Sequence, residues 1–235
     1  MASQFSNKTF QYFDLAKKNQ MNEKWFVKNK PLYEEHVKEP FSILLQQLDL
    51  RFGDKLPKIE INPKKVSRPL RPANKQEPGK GIIKTESHVT LWEKKISLFE
   101  WNPGIHIQFG AEKDENLLGV GLYMISSRQL KLMRRAIDEN FSEFDKIMKD
   151  KKLRKIWGEL AGEKYVRFPK EHDENSRCAE YLWHKQFYLD RPLTRKEVTS
   201  KDFFKRTGEE LEVSLPFFNL VRKTVGTYKK NTLSF

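Results

Sequence analysis

The sequence predicts an α+β fold: a central, mostly antiparallel sheet flanked by N-terminal and C-terminal helices. Three observations carry this expectation. Apolar residues recur at helical spacing in the first third of the chain, alternate with polar residues in the middle, and return to helical spacing through the remainder.

The N-terminal third contains three helical segments. Thr9 suits the cap of a short helix carrying Phe10 and Phe13, and Asn22 the cap of a second with Trp25 and Phe26 inside it. Pro31 suits the first turn of a longer helix in which Tyr33, Val37, Phe41, Leu44, Leu45 and Leu48 form one apolar stripe. Pro40 falls within that stripe and lacks a backbone donor, so a kink or a boundary between two helices is expected there.

From Pro63 to Lys84 prolines and glycines break any regular element, and Lys64, Lys65, Arg68, Arg71, Lys75, Lys80 and Lys84 face the single acid Glu77. A basic, proline-rich loop over about 63–84 follows, with a short extended piece near Val66.

Val89–Trp92 suits a strand, although Val89, Trp92, Ile96 and Phe99 also fit a helical period. The next two segments are less ambiguous. Ile105, Ile107 and Phe109 alternate with His106 and Gln108, and after a polar loop Leu118, Val120 and Leu122 alternate with Gly119, Gly121 and Tyr123, which predicts an antiparallel hairpin. Ser126 and Gln129 have the spacing of a capping box, and Leu130, Met133, Ile137 and Phe141 follow at helical spacing, giving a helix from about Ser127 to Glu139. Further helices are expected around Glu143–Trp157 in one or two pieces, Ser176–Gln186, Lys201–Glu210 and Pro216–Val225.

At 235 residues the chain is read as one domain, 1–235, and its 17 Phe, 7 Tyr and 5 Trp supply the apolar area a core needs. The formal net charge of +13 makes polyanions natural partners, whether an anionic small molecule or a nucleic acid. Cys178 is the only cysteine and cannot close an internal disulfide. The N-terminus lacks the basic-then-apolar pattern of a signal peptide, so a reducing, cytoplasmic location is expected. No apolar run reaches the roughly 18–20 residues of a membrane span, so no membrane partner is expected.

Strand alternation puts His106, Gln108, Gly119, Gly121 and Tyr123 on the face opposite the core. The glycines there suit close approach by a ligand, or equally the relief of twist or a packed helix. Arg68, Arg71 and Lys75 on the basic loop offer donors suited to phosphate or carboxylate. Arg167-Phe168-Pro169-Lys170-Glu171-His172-Asp173 adds two cations in a turn-like stretch, or reads as a solvated connector. No cofactor is expected: Gly81 stands where a Walker sequence needs Ser or Thr, and Gly119-Val120-Gly121 lacks the rest of a dinucleotide fingerprint. No metal is expected either, because His36, His88, His106, His172 and His184 lack paired spacing. Cys178 reads as a small buried residue rather than a nucleophile, and Trp25, Trp92, Trp157 and Trp183 as core.

Taken in order, Asn22-Glu23-Lys24-Trp25-Phe26 with Asn29-Lys30, Tyr33 and Pro40-Phe41, then Gly119-Val120-Gly121-Leu122-Tyr123 with Leu130 and Arg134, then Arg167-Phe168-Pro169-Lys170 with Asp173, resemble the uncharacterised family catalogued as domain of unknown function 2461. The resemblance covers about residues 9–225. It implies a fold and no established activity. Where the family usually carries R-D-x-R-F-x-x-x-K, this chain has Pro69 in place of the Asp and Pro72 in place of the Phe while Arg68, Arg71 and Lys75 remain; a family P-Y-K is represented by Pro78-Gly79-Lys80, and Glu171 replaces a glycine.

The functional expectation is an anionic ligand held by Arg68, Arg71, Lys75, Arg167 and Lys170 beside His106, Gln108, Gly119, Gly121 and Tyr123. Two alternatives stay open: non-specific nucleic-acid binding, including Lys149, Lys151, Lys152, Arg154, Lys155 and the tail Arg222–Lys230, and a structural or interaction protein without a ligand. Whether the chain is an enzyme is left undecided, His106 and His172 being the imidazoles suited to acid–base work.

Overall fold

Serine, asparagine and proline set the N-terminal helices. The computed structural model describes residues 4–76, 81–93 and 101–226. α1 (Asn7–Lys18) starts one turn earlier than the sequence suggests, because Ser6 rather than Thr9 is its cap and Thr9 completes the capping box from the third position. α2 (Glu23–Tyr33) is capped by Asn22, whose side chain accepts from the Trp25 amide.

Pro31 lies inside α2, not at the start of a new helix. The helical path continues through one wide π turn, Glu34–Lys38, into α3 (Glu39–Phe52). Within the wide turn the Glu39 amide reaches five residues back to the Glu34 carbonyl. The boundary expected at Pro40 is thus present, with Pro40 in the first turn of α3, where its missing donor is tolerated.

Four strands form a sheet in the order β1-β2-β3-β4, antiparallel, which makes the fold α+β: β1 (Glu86–Trp92), β2 (Gly104–Gly110), β3 (Leu117–Leu122) and β4 (Phe187–Pro192). The strand reading of Val89–Trp92 holds, while Ile96 and Phe99 of its helical rival lie outside the described residues. All six apolar positions expected to face the core of the hairpin, Ile105, Ile107, Phe109, Leu118, Val120 and Leu122, are buried. β4 had no counterpart among the expected elements.

The remaining helices are α4 (Ser127–Glu139), α5 (Phe141–Met148), α6 (Lys151–Trp157), α7 (Ala179–Leu182), α8 (Arg195–Val198) and α9 (Phe203–Val225). α4 has the bounds and the Ser126/Gln129 capping box read from the sequence. The helix expected over Ser176–Gln186 shrinks to α7, because residues 183–185 are drawn into backbone pairing with residues 163–165. The two helices expected after Lys201 are one, running through Pro216. Burying Leu211, Phe217, Phe218 and Val221 offsets the roughly 3 kcal/mol that an interior proline costs. No helix among the described residues is long and apolar enough to cross a membrane.

Internal packing divides the chain into two units. The first comprises Met1–Leu91, His106–Leu118 and Pro192–Gly208. An aromatic cluster lies at its heart: the Phe5 ring meets Phe109 at 4.8 Å, Phe41 at 4.9 Å and Phe203 at 6.1 Å. Arg195 grips both carboxylate oxygens of Asp14, at 2.7 and 2.9 Å, which ties together segments 181 residues apart and holds the Asp14 carboxyl below its ordinary range.

The second unit comprises Trp92–Ile105, Gly119–Arg191 and Glu209–Phe235. Phe144, Tyr181 and Phe187 pack ring against ring in its core, and the Tyr181 hydroxyl donates to Asp145 at 2.8 Å. The Trp157 indole donates to the Glu210 carbonyl at 3.0 Å, so one of the expected core tryptophans is buried with its polar atom satisfied. Trp183 departs from that expectation and is 38% exposed.

Candidate functional site

In the first unit, alternation along β1 and β2 buries Ser87, Val89, Leu91, Ile107 and Phe109 and sends Glu86, His88, Thr90, His106 and Gln108 to the opposite, half-buried face. Because β1 pairs with β2, the two histidines become neighbours, their ring centroids 5.3 Å apart. Thr90 Oγ1 lies 2.8 Å from His106 Nδ1, and Gln108 Oε1 lies 3.3 Å from His106 Nε2. With the amide oxygen accepting, Nε2 carries the proton and Nδ1 accepts from the Thr90 hydroxyl. Burial holds His106 below its ordinary range, against the hydrogen bond it donates to Gln108. His88 is pushed down to about 4 by burial, helped by His106 and Lys84, and its Nδ1 has no partner among the described residues.

The basic loop folds back onto the start of β1. Leu70 and Ile83 form an isolated antiparallel bridge, the Arg71 amide donates to Ile82, and the Lys84 amide to Pro69. The expected extended piece therefore centres on Leu70, with Ser67 also pairing, through its amide, to the His88 carbonyl. Arg71 serves the loop itself: Nη1 donates to the Gly81 carbonyl at 2.6 Å, and Nη2 stands 3.9 Å from Glu86. Lys75 sits on an exposed 3-10 turn, Ala73–Lys75, and Arg68 is exposed beside Ser67. Glu77, Pro78, Gly79 and Lys80 lie outside the described residues.

Lys84 is the residue that changes the reading of this loop. Its side chain has no hydrogen-bond or ion-pair partner among the described residues, and burial lowers its ammonium pKa; Glu86 opposes that shift while Arg71 and Lys75 reinforce it. Arg71, Lys75, His106 and Gln108 thus share a neighbourhood with Lys84, Glu86, His88 and Thr90, four residues absent from the expected site. Starting the strand at Val89 had left Glu86 and His88 unplaced; the alternation runs back to Glu86 and would have found them.

In the second unit the glycine positions differ from one another. Gly119 lies within β3, half-exposed, whereas Gly121 is buried at φ +125, and an added Cβ would meet the Phe187 carbonyl oxygen at 2.5 Å and Tyr188 Cα at 2.8 Å. Gly121 therefore exists for close approach of the neighbouring backbone. Tyr123 follows β3, is 64% exposed, and meets the Tyr188 ring edge-on at 5.1 Å.

The segment carrying Arg167 and Lys170 lies against α4. Backbone pairing of residues 163–165 with 183–185 fixes one side, and His172 Nδ1, 2.8 Å from Asp138 Oδ2, fixes the other. Pro169 is buried, while Arg167 and Lys170 are exposed with no side-chain partner among the described residues. Asp138 also accepts from the Cys178 thiol at 3.0 Å. The carboxylate stands between thiol and imidazole, so His172 is not positioned to take the Cys178 proton; burial first, and then Asp138, raise its pKa.

Four residues before Asp138 on α4, Arg134 is buried, its guanidinium 5.0 Å from the centre of the Tyr165 ring and its Nη1 3.5 Å from Glu171 Oε1. The signal for this burial was in the sequence: Arg134, four residues after Leu130, lies on the apolar stripe Leu130, Met133, Ile137. A small cavity in the second unit, lined by Met148, Arg154, Leu160, Tyr181 and His184, has a volume of about 30 Å³, which suits a water molecule and not a metabolite. No three His, Cys, Asp or Glu side chains among the described residues gather as a metal site requires.

No curated protein and no solved structure matches the chain. The sequence profile of one family, described as conserved hypothetical protein (DUF2461), matches residues 8–219, a span that contains all but the first residue of α1, the sheet, the Arg167–Lys170 turn and most of α9, and the chain belongs to that family.

Proposed function

We propose that this protein binds a phosphate- or carboxylate-bearing small molecule on the polar face of β1 and β2 beside the basic loop. The observation that carries the reading is Lys84, a part-buried ammonium with no side-chain partner among the described residues, set near the like charges of Arg71 and Lys75. A part-buried ammonium near like charges costs free energy that a bound anion offsets. The neighbouring imidazoles, kept neutral, add directional donors and acceptors without adding charge. Of the expected binding residues, Lys75, His106 and Gln108 keep that role, and Arg71 orders the loop. Gly119, Tyr123, Arg167 and Lys170 belong to the other unit and are not needed for this reading. A cytoplasmic site of action suits a chain whose single cysteine is free.

The test is a titration followed through the His88 and His106 ring resonances. Inorganic phosphate or citrate, at constant ionic strength, is expected to shift both signals in the wild type and to lose at least about tenfold in affinity in Lys84→Met. Unmoved imidazole signals, or equal affinity in the variant, would sink the reading. Affinity for duplex DNA that falls linearly on a log–log plot against salt, without a small-anion response, would assign the charge to nucleic acid instead.

A further inference from the structure

A buried guanidinium offers three separate recognition surfaces, and in Arg134 two are used. Its flat face stacks on Tyr165 at 5.0 Å, and Nη1 meets Glu171 at 3.5 Å. The third surface is the edge formed by Nε and Nη2. Both atoms are buried and have no hydrogen-bond partner among the described residues, although the residue as a whole is only 4% exposed. The N–H bonds on this edge run parallel and match the two oxygens of a carboxylate or phosphate. Arginine keeps its charge at any ordinary pH, so it cannot escape the cost of burial by losing a proton.

The surroundings favour an incoming anion. Arg167 and Lys170, on the turn covering this part of α4, are exposed cations without partners among the described residues. The groups that contact Arg134 reach the surface: Tyr165 is 38% exposed, and the Glu171 side chain is 60% exposed. The turn itself stays anchored by the His172–Asp138 pair and by the buried Pro169.

We propose that Arg134 is a receptor for an oxyanion, taking two oxygens of a carboxylate or phosphate monoester side-on through Nε and Nη2. Arg167 and Lys170 draw the ligand to the turn, Tyr165 keeps its face on the guanidinium, and Glu171, held on the adjacent Nη1, opposes the ligand by like charge. This site lies wholly in the second unit and does not depend on the Lys84 site.

The experiment follows the Arg134 side-chain Nε–H signal of the full chain by NMR. Inorganic phosphate, sodium acetate and sodium chloride are titrated at matched ionic strength into the wild type, Glu171→Gln and Arg134→Lys. The Nε–H signal is expected to move with phosphate or acetate and not with chloride. Glu171→Gln is expected to bind about threefold more tightly, the size of effect an exposed carboxylate exerts, and Arg134→Lys at least about tenfold more weakly. A response to phosphate alone assigns the phosphate ester, and to acetate alone the carboxylate. An Arg134 signal unmoved by both anions in wild type and Glu171→Gln overturns the proposal, as does equal affinity in Glu171→Gln. Should Arg134→Lys fail to fold, those two readouts still decide. Lys84→Met leaves the Arg134 response intact, so failure of one site is distinguishable from failure of the other.

Discussion

The Thr9 hydroxyl donates to the His36 carbonyl at 2.7 Å, and that carbonyl is the one to which Pro40, four residues on, has no N–H to offer. Thr9 also accepts from the Ser6 amide at 3.0 Å, so one side chain completes the start of α1 and supports the helical path at its wide turn. Thr9→Val is therefore expected to cost about 2 kcal/mol in urea denaturation, through a lost cap and a lost tertiary hydrogen bond. Thr9→Ser, which keeps the oxygen, should stay within about 1 kcal/mol of wild type by the same reasoning. Equal losses in both variants would show that methyl packing, not the oxygen, matters.

His88 sets a pH dependence. Its folded-state pKa of about 4 lies below the ordinary 6.5, so the unfolded chain takes up a proton that the folded chain refuses. The contribution to stability is complete above pH 6.5 and falls as the pH drops toward 4, by an amount on the order of 3 kcal/mol. His106, lowered in the same direction, adds to the slope. Replacing His88 with Gln should flatten the stability profile between those two pH values. A profile as steep as wild type would remove His88 from the account.

Two glycines separate close approach from backbone strain. Gly121 and Gly158 both have positive φ, +125 and +72, but a Cβ at Gly158 meets nothing within 4 Å, whereas one at Gly121 runs into the β4 backbone. Gly158, at φ +72 and ψ −136, lies outside the left-handed helical region, and Gly158→Ala is expected to cost about 1–3 kcal/mol through backbone strain alone. Gly121→Ala should cost more than about 3 kcal/mol, or prevent folding, because strand backbone cannot yield as a side chain can. Denaturant midpoints of the two variants make the comparison.

Cys178 should label slowly. The thiol is buried, donates to Asp138 and is held protonated, so its reaction with a disulfide reagent at pH 8 is expected to be at least about a hundredfold slower than in the unfolded chain. Asp138→Asn, which removes the negative charge beside it, should raise the rate. Labelling of the native protein at the unfolded rate would contradict the packing of this segment.

Signals that were local could be read in advance; those that depended on a distant partner could not. The β2–β3 hairpin and α4 were legible because alternation and a capping box act within a few residues. α7 was overestimated because pairing of Trp183 and Lys185 with Tyr165 and Glu163, some twenty residues away, outweighs helix propensity. α9 was divided at Pro216 because the weight of Phe217, Phe218 and Val221 becomes plain only when their burial is known. Proline, glycine and charge mark the basic loop in the sequence, but the division of labour within it, Arg71 turned to backbone carbonyls and Lys84 without a side-chain partner among the described residues, depends on how the loop folds back. Arg134 was hidden by its type, since a charged residue on an apolar stripe is ordinarily assigned to the surface.

The Phe5 cluster has a consequence for the order of events on the ribosome. Phe5 leaves the ribosome well before its partners Phe109 and Phe203, and the clasp of Asp14 by Arg195 waits as long. At 5–20 residues per second, roughly 10–40 s separate the first ring from the last. Throughout that interval the N-terminal helices have no finished core to join. Until then Phe5, Phe10 and Phe13, all buried in the folded chain, remain exposed to association elsewhere.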